Sequence, residues 1–193
     1  MSIRDTYNAI AKDFDRTRYA MWSCMEHFYE THKPGYILDV GCGNGKNILP
    51  GMEISYELCD ICDEFVKMTS KRYDNAGMVQ LDAISLSYRN TIFDTVISVA
   101  VLHHLDTFSK RAQMLNEMIR VCKDDGVIFF TVWADEKSCD KMVPWTNVKT
   151  KNVTYRFYHF FDESEVLSLL HHCSITDYNV VLSHNNYVCT IRK

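Results

Sequence analysis

Two kinds of hydrophobic pattern alternate along this chain. The short apolar runs at residues 36–38, 54–59, 78–81, 93–100 and 127–133 are typical of strands buried on both faces of a parallel sheet. Before and between them, apolar residues recur every three or four positions, which predicts helices. These helices fall at residues 5–14, 21–29, 63–73 and 108–122, with one more capped by Asp162. The alternation predicts an α/β fold.

The C-terminal end has a different pattern. Residues 175–182 and 187–191 have strand character and are separated by the polar segment 183–186, which predicts an antiparallel hairpin. We find no internal repeat or interdomain linker, so we expect residues 1–193 to form a single domain. Residues 1–33 are then N-terminal helices that cover the active site.

The most informative motif is Asp-Val-Gly-Cys-Gly-Asn-Gly at residues 39–45, directly after the first strand. Alternating glycines let the backbone turn sharply and approach a bulky ligand. A dinucleotide fingerprint would need a third glycine where Lys46 stands. A phosphate-binding loop would need Ser or Thr where Asn47 stands. The dinucleotide interpretation is therefore weakened, and the nucleoside triphosphate interpretation fails.

The remaining pattern, Asp-x-Gly-x-Gly-x-Gly, resembles motif I of the class I S-adenosylmethionine-dependent methyltransferases. That resemblance implies a doubly wound, Rossmann-like sheet of seven strands with one reversed strand, and S-adenosylmethionine as cofactor. Asp60 ends the second strand, where doubly wound folds place a carboxylate that accepts the ribose hydroxyls. Asp82 and Ala83 match the position that reads the adenine. The full set of expected cofactor contacts is Tyr7, Arg18, Asp39, Gly41, Gly43, Gly45, Asp60, Asp82, Ala83, Ser98 and Ala100.

A closer resemblance involves motifs spread over almost the whole chain. Residues 7–11 with 17–19, the Val-Leu-His-His at 101–104, the Pro-Trp at 144–145 and the Tyr-Arg-Phe-Tyr-His at 155–159 are similar to the eukaryotic tRNA wobble-uridine carboxymethyl methyltransferases. The last two motifs together are the discriminating pair. The chain departs from the family pattern at two places that bear on RNA contacts. The segment 146–154 is shorter than in several relatives, and Leu105 stands where the family often has tryptophan.

The resemblance implies methylation of the carboxylate of 5-carboxymethyluridine at the anticodon wobble position, which yields a methyl ester. A carboxylate is ionised near pH ~7, so we expect residues that position the substrate rather than a general base. The candidates are Arg18, His103, Arg156, Tyr158 and His159. Either Arg18 or Arg156 grips the substrate carboxylate, and Arg18 alternatively holds the cofactor's methionine carboxylate. His103 either contacts the uracil at the sheet rim or caps backbone groups.

RNA recognition raises the question of charge. The chain has 21 Lys and Arg residues against 25 Asp and Glu residues, a net charge of −4, whereas phosphate binding uses basic surfaces. Basic residues nevertheless cluster locally at Lys12, Arg16 and Arg18, at Lys67, Lys71 and Arg72, and at Lys149, Lys151 and Arg156. Trp145, Tyr155 and Arg156 are the candidate RNA contacts, since aromatic rings stack on unpaired bases. The same aromatic rings alternatively pack in the core.

The family resemblance also implies a partner, a small zinc-binding activator protein that covers an apolar sheet edge. The expected contact residues surround the third strand, and they are Met78, Val79, Leu81, Ile84 and Leu86. Within this chain, Cys59 and Cys62 form a Cys-x-x-Cys pair, but a zinc site needs a second ligand pair and the other cysteines are scattered. We expect no metal here, reduced thiols and no membrane span, consistent with a cytoplasmic location that also extends to the nucleus.

Two alternative functions remain open from the sequence. One is a methyltransferase for a small carboxylic acid or quinone-like metabolite, which would use the same cofactor residues and close its pocket with the N-terminal helices. The other is a catalytically silent subunit that keeps the fold to support a partner. The intact acidic and glycine positions, Asp39, Gly41, Gly43, Gly45, Asp60 and Asp82, argue against this second alternative.

Overall fold

The computed structural model describes residues 2–49 and 54–193. The helices are α1 (Ile3–Thr17), α2 (Ser23–Thr31), α3 (Asp63–Arg72), α4 (Phe108–Val121) and α5 (Glu163–His172), with a short 3-10 helix at Leu102–His104. The strands are β1 (Tyr36–Val40), β2 (Ser55–Asp60), β3 (Gly77–Gln80), β4 (Phe93–Val99), β5 (Cys122–Trp133), β6 (Cys139–Thr146), β7 (Val153–Phe160), β8 (Tyr178–Ser183) and β9 (Asn186–Arg192).

A seven-stranded sheet organises the molecule, in the order β3-β2-β1-β4-β5-β9-β8. Strands β1 to β5 pair in parallel, and β9 runs antiparallel to β5 and pairs with β8 as the predicted hairpin. The apolar runs fill both faces of the centre, where Ile37, Val96 and Ile128 have no exposed surface. The predicted Rossmann-like sheet with one reversed strand is therefore confirmed.

One element of the structure was not predicted. Strands β6 and β7 form a separate two-stranded antiparallel ribbon, in which Val143 is opposite Arg156. The hydrophobic pattern did not reveal these strands because the buried positions of β7 carry Arg156 and Tyr158 rather than aliphatic side chains. The ribbon packs beside the carboxyl ends of the parallel strands, which is where ligands bind in such sheets.

Helix α1 lies across the carboxyl ends of the parallel strands, and side-chain contacts fix it at both of its own ends. Ser2 and Asp5 form a capping box at its start. Near its start Arg4 pairs with Asp63, at 2.9 Å, and near its end Asp15 pairs with Arg72, also at 2.9 Å. These ion pairs attach α1 to both ends of α3.

Strand β3 forms one edge of the sheet, as its predicted role as a partner surface requires. Val79 is 39% exposed, and Met78, Leu81 and Ile84 are half-buried. Leu86 is buried in the main core, so the prediction that it belongs to the partner surface is wrong. Within residues 2–49 and 54–193, no helix has the length and apolar character needed to cross a bilayer.

Candidate functional site

A cavity of about 320 Å³ opens at the carboxyl ends of β1, β2 and β4, beneath α1 and the β6–β7 ribbon. The predicted site residues that line it are Tyr7, Arg18, Gly41, Gly43, Asp60, Asp82, Ala83, Ala100, Arg156 and Tyr158. Those that do not line it are Asp39, Gly45, Ser98, His103, Trp145, Tyr155 and His159. The structure thus brings together residues from α1, four strand ends and the ribbon.

The glycine turn shapes one wall of the cavity. Gly43 has a φ of +55°, and a Cβ added to it would meet nothing within 4 Å, so its backbone faces open space. Gly41 has a φ of +75°, and its Cβ would collide with Val101 at 2.5 Å. Gly45 has a different role, because it packs under Tyr73 rather than against the cavity. Because Gly41 and Gly43 have no side chains, a ligand in the cavity has direct access to the backbone of this wall.

Asp60 fixes this turn from the end of β2. Its Oδ2 accepts a hydrogen bond from the Gly43 N–H at 2.9 Å, and its Oδ1 accepts one from the Cys62 N–H at 2.8 Å. Burial nevertheless raises the pKa of Asp60 to about 6. A carboxylate has about four lone-pair sites, so two stay free for ligand hydroxyls.

Asp39 lies immediately behind the lining residues Val40 and Gly41. Both of its carboxylate oxygens are buried and have no hydrogen-bond partner among the described residues. Burial, with the nearby charge of Asp60, raises the pKa of Asp39 to about 7. A buried, unpartnered carboxylate stabilises a cation placed next to it.

Lys46 is a lining residue that the sequence analysis did not select. Its Nζ lies 5.2 Å from the centre of the Trp22 ring. Burial, followed by the repulsion of Arg18, lowers the pKa of Lys46 to about 8. The sequence did contain a signal for Lys46, namely its position directly after the glycine motif. Arg18 and Lys46 together make this end of the cavity attractive to an anion.

The ribbon contributes the opposite wall. Alternate residues of a strand face the same side, so Arg156, Tyr158 and Phe160 all point into the cavity. The Arg156 guanidinium lies 5.0 Å from the centres of both the Trp145 and the Tyr158 rings. Arg156 is 9% exposed, and no carboxylate of the described chain lies within ion-pair distance of it. It is therefore a buried cation beside a cavity, and the described residues give it no counter-ion.

A hydrogen-bonded cluster joins α1 to the ribbon. The Nδ1 of His104 lies 2.9 Å from the Phe157 carbonyl oxygen, which only accepts, so Nδ1 carries the proton. The Nε2 of His104 then accepts from the Tyr7 hydroxyl at 2.8 Å, and the Tyr158 hydroxyl lies 3.5 Å from that of Tyr7. Burial lowers the pKa of His104 to about 4 and raises that of Tyr7. Both groups are therefore neutral near pH ~7 and serve to orient Tyr158.

The two histidines predicted as site residues lie outside the lining. His103 is fully buried and stacks on Tyr158 with the ring centres 4.7 Å apart, so its neighbour His104 takes the place at the rim. His159 lies between two carboxylates, with Asp140 at 2.6 Å and Glu165 at 2.7 Å. It therefore ties the ribbon to α5 rather than contacting the cavity.

Three other predicted residues also lie away from the cavity. Ser98 donates its hydroxyl to the Val40 carbonyl at 2.9 Å and so links β4 to β1. Trp145 is 6% exposed and donates its indole N–H to Asp13 at 3.0 Å, so its ring is not free to stack on a base. Tyr155 is 57% exposed on the opposite face of the ribbon from Arg156.

The lining fits S-adenosylmethionine, which carries an amino-acid end, a ribose and an adenine. Asp60 and Asp82 offer acceptors at the ends of β2 and after β3, and Gly43 leaves room beside them. Behind this lining, the unpartnered carboxylate of Asp39 favours a positive charge such as the ligand's ammonium group. Lys46 and Arg18 suit its carboxylate. The charges needed to bind both ends of the amino-acid part are present.

Sequence comparison places this arrangement among known proteins. Residues 38–130 match the family model described as a methyltransferase domain. The tRNA (carboxymethyluridine(34)-5-O)-methyltransferase of Schizosaccharomyces pombe is 30% identical over 199 residues, which covers 87% of this chain and 86% of that protein. The Arabidopsis thaliana protein of the same name is 36% identical over 153 residues, or 78% of this chain. This chain spans only 37% of the length of the Arabidopsis protein.

Structural comparison gives the same fold. A Burkholderia thailandensis N1-methyltransferase, solved with 1,6-didemethyltoxoflavin and S-adenosylhomocysteine, superimposes with a TM-score of 0.74. The match covers 99% of this chain and 87% of that chain at 19% identity. From its sheet, its glycine turn and its similarity to the Schizosaccharomyces pombe protein over 87% of this chain, this chain belongs to the class I S-adenosylmethionine-dependent methyltransferases, in the family of the tRNA (carboxymethyluridine(34)-5-O)-methyltransferases.

Proposed function

We propose that this protein transfers the methyl group of S-adenosylmethionine to the carboxylate of 5-carboxymethyluridine at the wobble position of tRNA, giving the 5-methoxycarbonylmethyl ester. The observation that carries the proposal is Arg156, a buried guanidinium that faces the cavity with no carboxylate of the described residues beside it. A substrate carboxylate would supply the missing counter-ion. Family membership favours the same substrate.

The chemistry requires alignment rather than proton removal. When bound, the cofactor supplies a methyl group on a positively charged sulfur. The substrate carboxylate is ionised near pH ~7 and attacks without a base. The titratable groups at the rim suit this role, because His104 and Tyr7 are neutral and hydrogen-bonded to each other. Holding the two reactants in line in a site shielded from water supplies the rate enhancement.

The two arginines that the sequence left as alternatives belong to different elements, although both guanidinium groups lie beside the Trp145 ring. Arg18 is the C-cap of α1, and its carbonyl accepts a hydrogen bond from Asn44 of the glycine turn at 2.8 Å. Its charge also acts on Lys46. Arg156 instead lies beside Tyr158 on the ribbon. We assign Arg18 and Lys46 to the cofactor's carboxylate and Arg156 to that of the substrate.

Cofactor affinity should depend on pH through Asp39. Its pKa of about 7 means that the carboxyl group is largely protonated below that pH. A ligand ammonium favours the ionised form, so affinity should rise as pH rises. We expect S-adenosylhomocysteine to bind about tenfold more weakly at about pH 6 than at about pH 7.5. Calorimetric titration measures this dependence.

The matched control for this experiment is Asp39→Asn. This variant should bind weakly at both pH values and lose most of the pH dependence, since nothing remains to titrate at that position. A wild-type affinity that is flat across this range would remove Asp39 from cofactor binding. A wild-type protein that does not bind S-adenosylhomocysteine at all would instead favour a catalytically silent subunit.

We further propose that a small zinc-binding activator protein covers the β3 edge. Val79 is exposed there, with Met78, Leu81 and Ile84 half-buried beside it. The chain expressed alone should therefore aggregate and show little activity, and Val79→Glu should break the complex in pull-down experiments. Val181→Glu is the control, because Val181 is exposed on β8 at the other edge of the sheet. A soluble monomer with full turnover would contradict this proposal.

A small-molecule substrate is the second candidate, and one observation favours it. Tyr7 and Phe14 of α1 line the cavity, so an N-terminal helix does cover the pocket. The two candidates are separated by supplying labelled S-adenosylmethionine with either bulk tRNA or a metabolite extract. We expect label in tRNA and none in the extract. The reverse distribution would favour the metabolite enzyme.

A further inference from the structure

The β6–β7 ribbon has two faces with different properties. Residues paired across an antiparallel ribbon point to the same side, and neighbours along a strand point to opposite sides. Val143 and Arg156 are paired and line the cavity. The next pair, Pro144 and Tyr155, therefore lies on the outer face. Met142 with Phe157, Thr146 with Val153 and, at the end away from the turn, Asp140 with His159 lie on the same face.

The outer face is apolar and exposed. Met142 and Tyr155 are both 57% exposed, and Val153 is 50% exposed. Val148, in the turn that joins the strands, is 49% exposed. Single apolar side chains on a surface are ordinary, but a contiguous group of them marks a binding surface. An aromatic ring held on a strand in such a group is suited to stacking.

The charge of the ribbon indicates which ligand this surface fits. Its strands and turn, residues 139–160, contain Lys141, Lys149, Lys151 and Arg156 but a single acid, Asp140. Asp140 lies at the opposite end from the turn and is paired with His159. Lys141 is paired with Asp135, whereas Lys149 and Lys151 are exposed and have no carboxylate partner among residues 2–49 and 54–193. The ribbon is thus locally basic in a chain of net charge −4.

We propose that the outer face binds single-stranded RNA that flanks the nucleotide under modification. A base next to the target stacks on Tyr155, and its phosphates lie against Lys149 and Lys151. Stacking aromatics beside cations are how proteins hold unpaired nucleotides. Because Tyr155 and Arg156 are neighbours on β7, one strand of RNA passing the ribbon presents a base to each face. This inference rests on the proposed function, since it assumes an RNA substrate.

The test measures binding of a fluorescein-labelled anticodon stem–loop RNA containing 5-carboxymethyluridine to the full chain. Tyr155→Ala should weaken binding about 5- to 100-fold, and Tyr155→Phe should bind like wild type. Leu182→Ala is the matched control, because Leu182 is exposed to a similar extent on β8. Calorimetry with S-adenosylhomocysteine checks that the cofactor site is unchanged in each variant.

The lysines are tested by the salt dependence of the same binding. Lys149→Ala with Lys151→Ala should reduce the slope of log K against log salt by about 1.4. The control pair, Lys33→Ala with Arg192→Ala, changes the net charge equally at exposed positions elsewhere. An unchanged slope in the first pair, or equal losses in both pairs, would overturn the lysine assignment.

The outcomes also separate this proposal from the function on which it rests. If wild-type protein binds and methylates the RNA but Tyr155→Ala does so equally well, the outer face is not an RNA surface and the proposed function stands. If Tyr155→Ala instead loses a protein partner while RNA binding is retained, the face is a protein interface and the proposal is wrong. If wild-type protein neither binds nor methylates the RNA, both fail.

Discussion

Replacing Arg156 by alanine should lower kcat/KM for tRNA methylation by about 100- to 1000-fold, the loss expected for two charge-assisted hydrogen bonds. The guanidinium faces the cavity between aromatic rings and has no protein carboxylate near it among the described residues. Its removal leaves no buried carboxylate of the described residues without a counter-ion, so the free energy of unfolding should change little. Radiolabel transfer from S-adenosylmethionine to tRNA measures the effect.

The conservative variant sharpens this prediction. Arg156→Lys keeps the positive charge but cannot bind a carboxylate through two parallel N–H groups, so we expect intermediate activity. Affinity for S-adenosylhomocysteine should stay within about threefold of wild type in both variants, a difference of less than 1 kcal/mol. Full turnover by Arg156→Ala would remove this residue from the substrate site. Loss of cofactor binding in that variant would move Arg156 to the cofactor site.

Replacing Asp60 by alanine should weaken S-adenosylhomocysteine binding by at least about 100-fold. Its carboxylate holds the Gly43 and Cys62 backbone N–H groups, at 2.9 and 2.8 Å, and Asp60 also lines the cavity. The variant loses the ligand contacts and the shape of the glycine turn at once. Calorimetric titration measures the affinity, and circular dichroism shows whether the fold is kept.

Two further variants control for charge and for shape at Asp60. Asp74→Ala removes an exposed acid just after α3 and should leave the affinity unchanged. Asp60→Asn keeps one acceptor oxygen and should fall between alanine and wild type. An Asp60→Ala variant that is folded and binds S-adenosylhomocysteine normally would show that the ligand does not use the end of β2.

The main sheet was predictable because its signals are local. Buried parallel strands give short continuous apolar runs. The glycine turn after β1 is also a local signal, because the absence of side chains at single positions determines how closely a ligand approaches the backbone. Apolar periodicity alone located α4, and Asp162 caps the first turn of α5 as predicted. Hydrophobic periodicity and capping were sufficient for these elements.

The arrangement of the site depends on contacts between side chains that the sequence pattern does not reveal. Of two adjacent histidines, the 3-10 helix turns His103 into the core and leaves His104 at the cavity. Trp145 is buried because its indole N–H reaches Asp13, a residue 132 positions earlier. His159 is likewise brought between Asp140 and Glu165, and Glu165 is paired with Arg111, only by the fold. Sequence spacing alone does not give such long-range partners.

The central claim is that an anionic carboxylate on tRNA receives the methyl group. The most direct measurement is mass spectrometry of nucleosides from tRNA carrying 5-carboxymethyluridine after incubation with this protein, the proposed zinc-binding activator and S-adenosylmethionine. We predict conversion to the 5-methoxycarbonylmethyl ester, which mild alkali hydrolyses back to the acid. Unchanged 5-carboxymethyluridine, or a methyl group that survives alkali, would contradict the account.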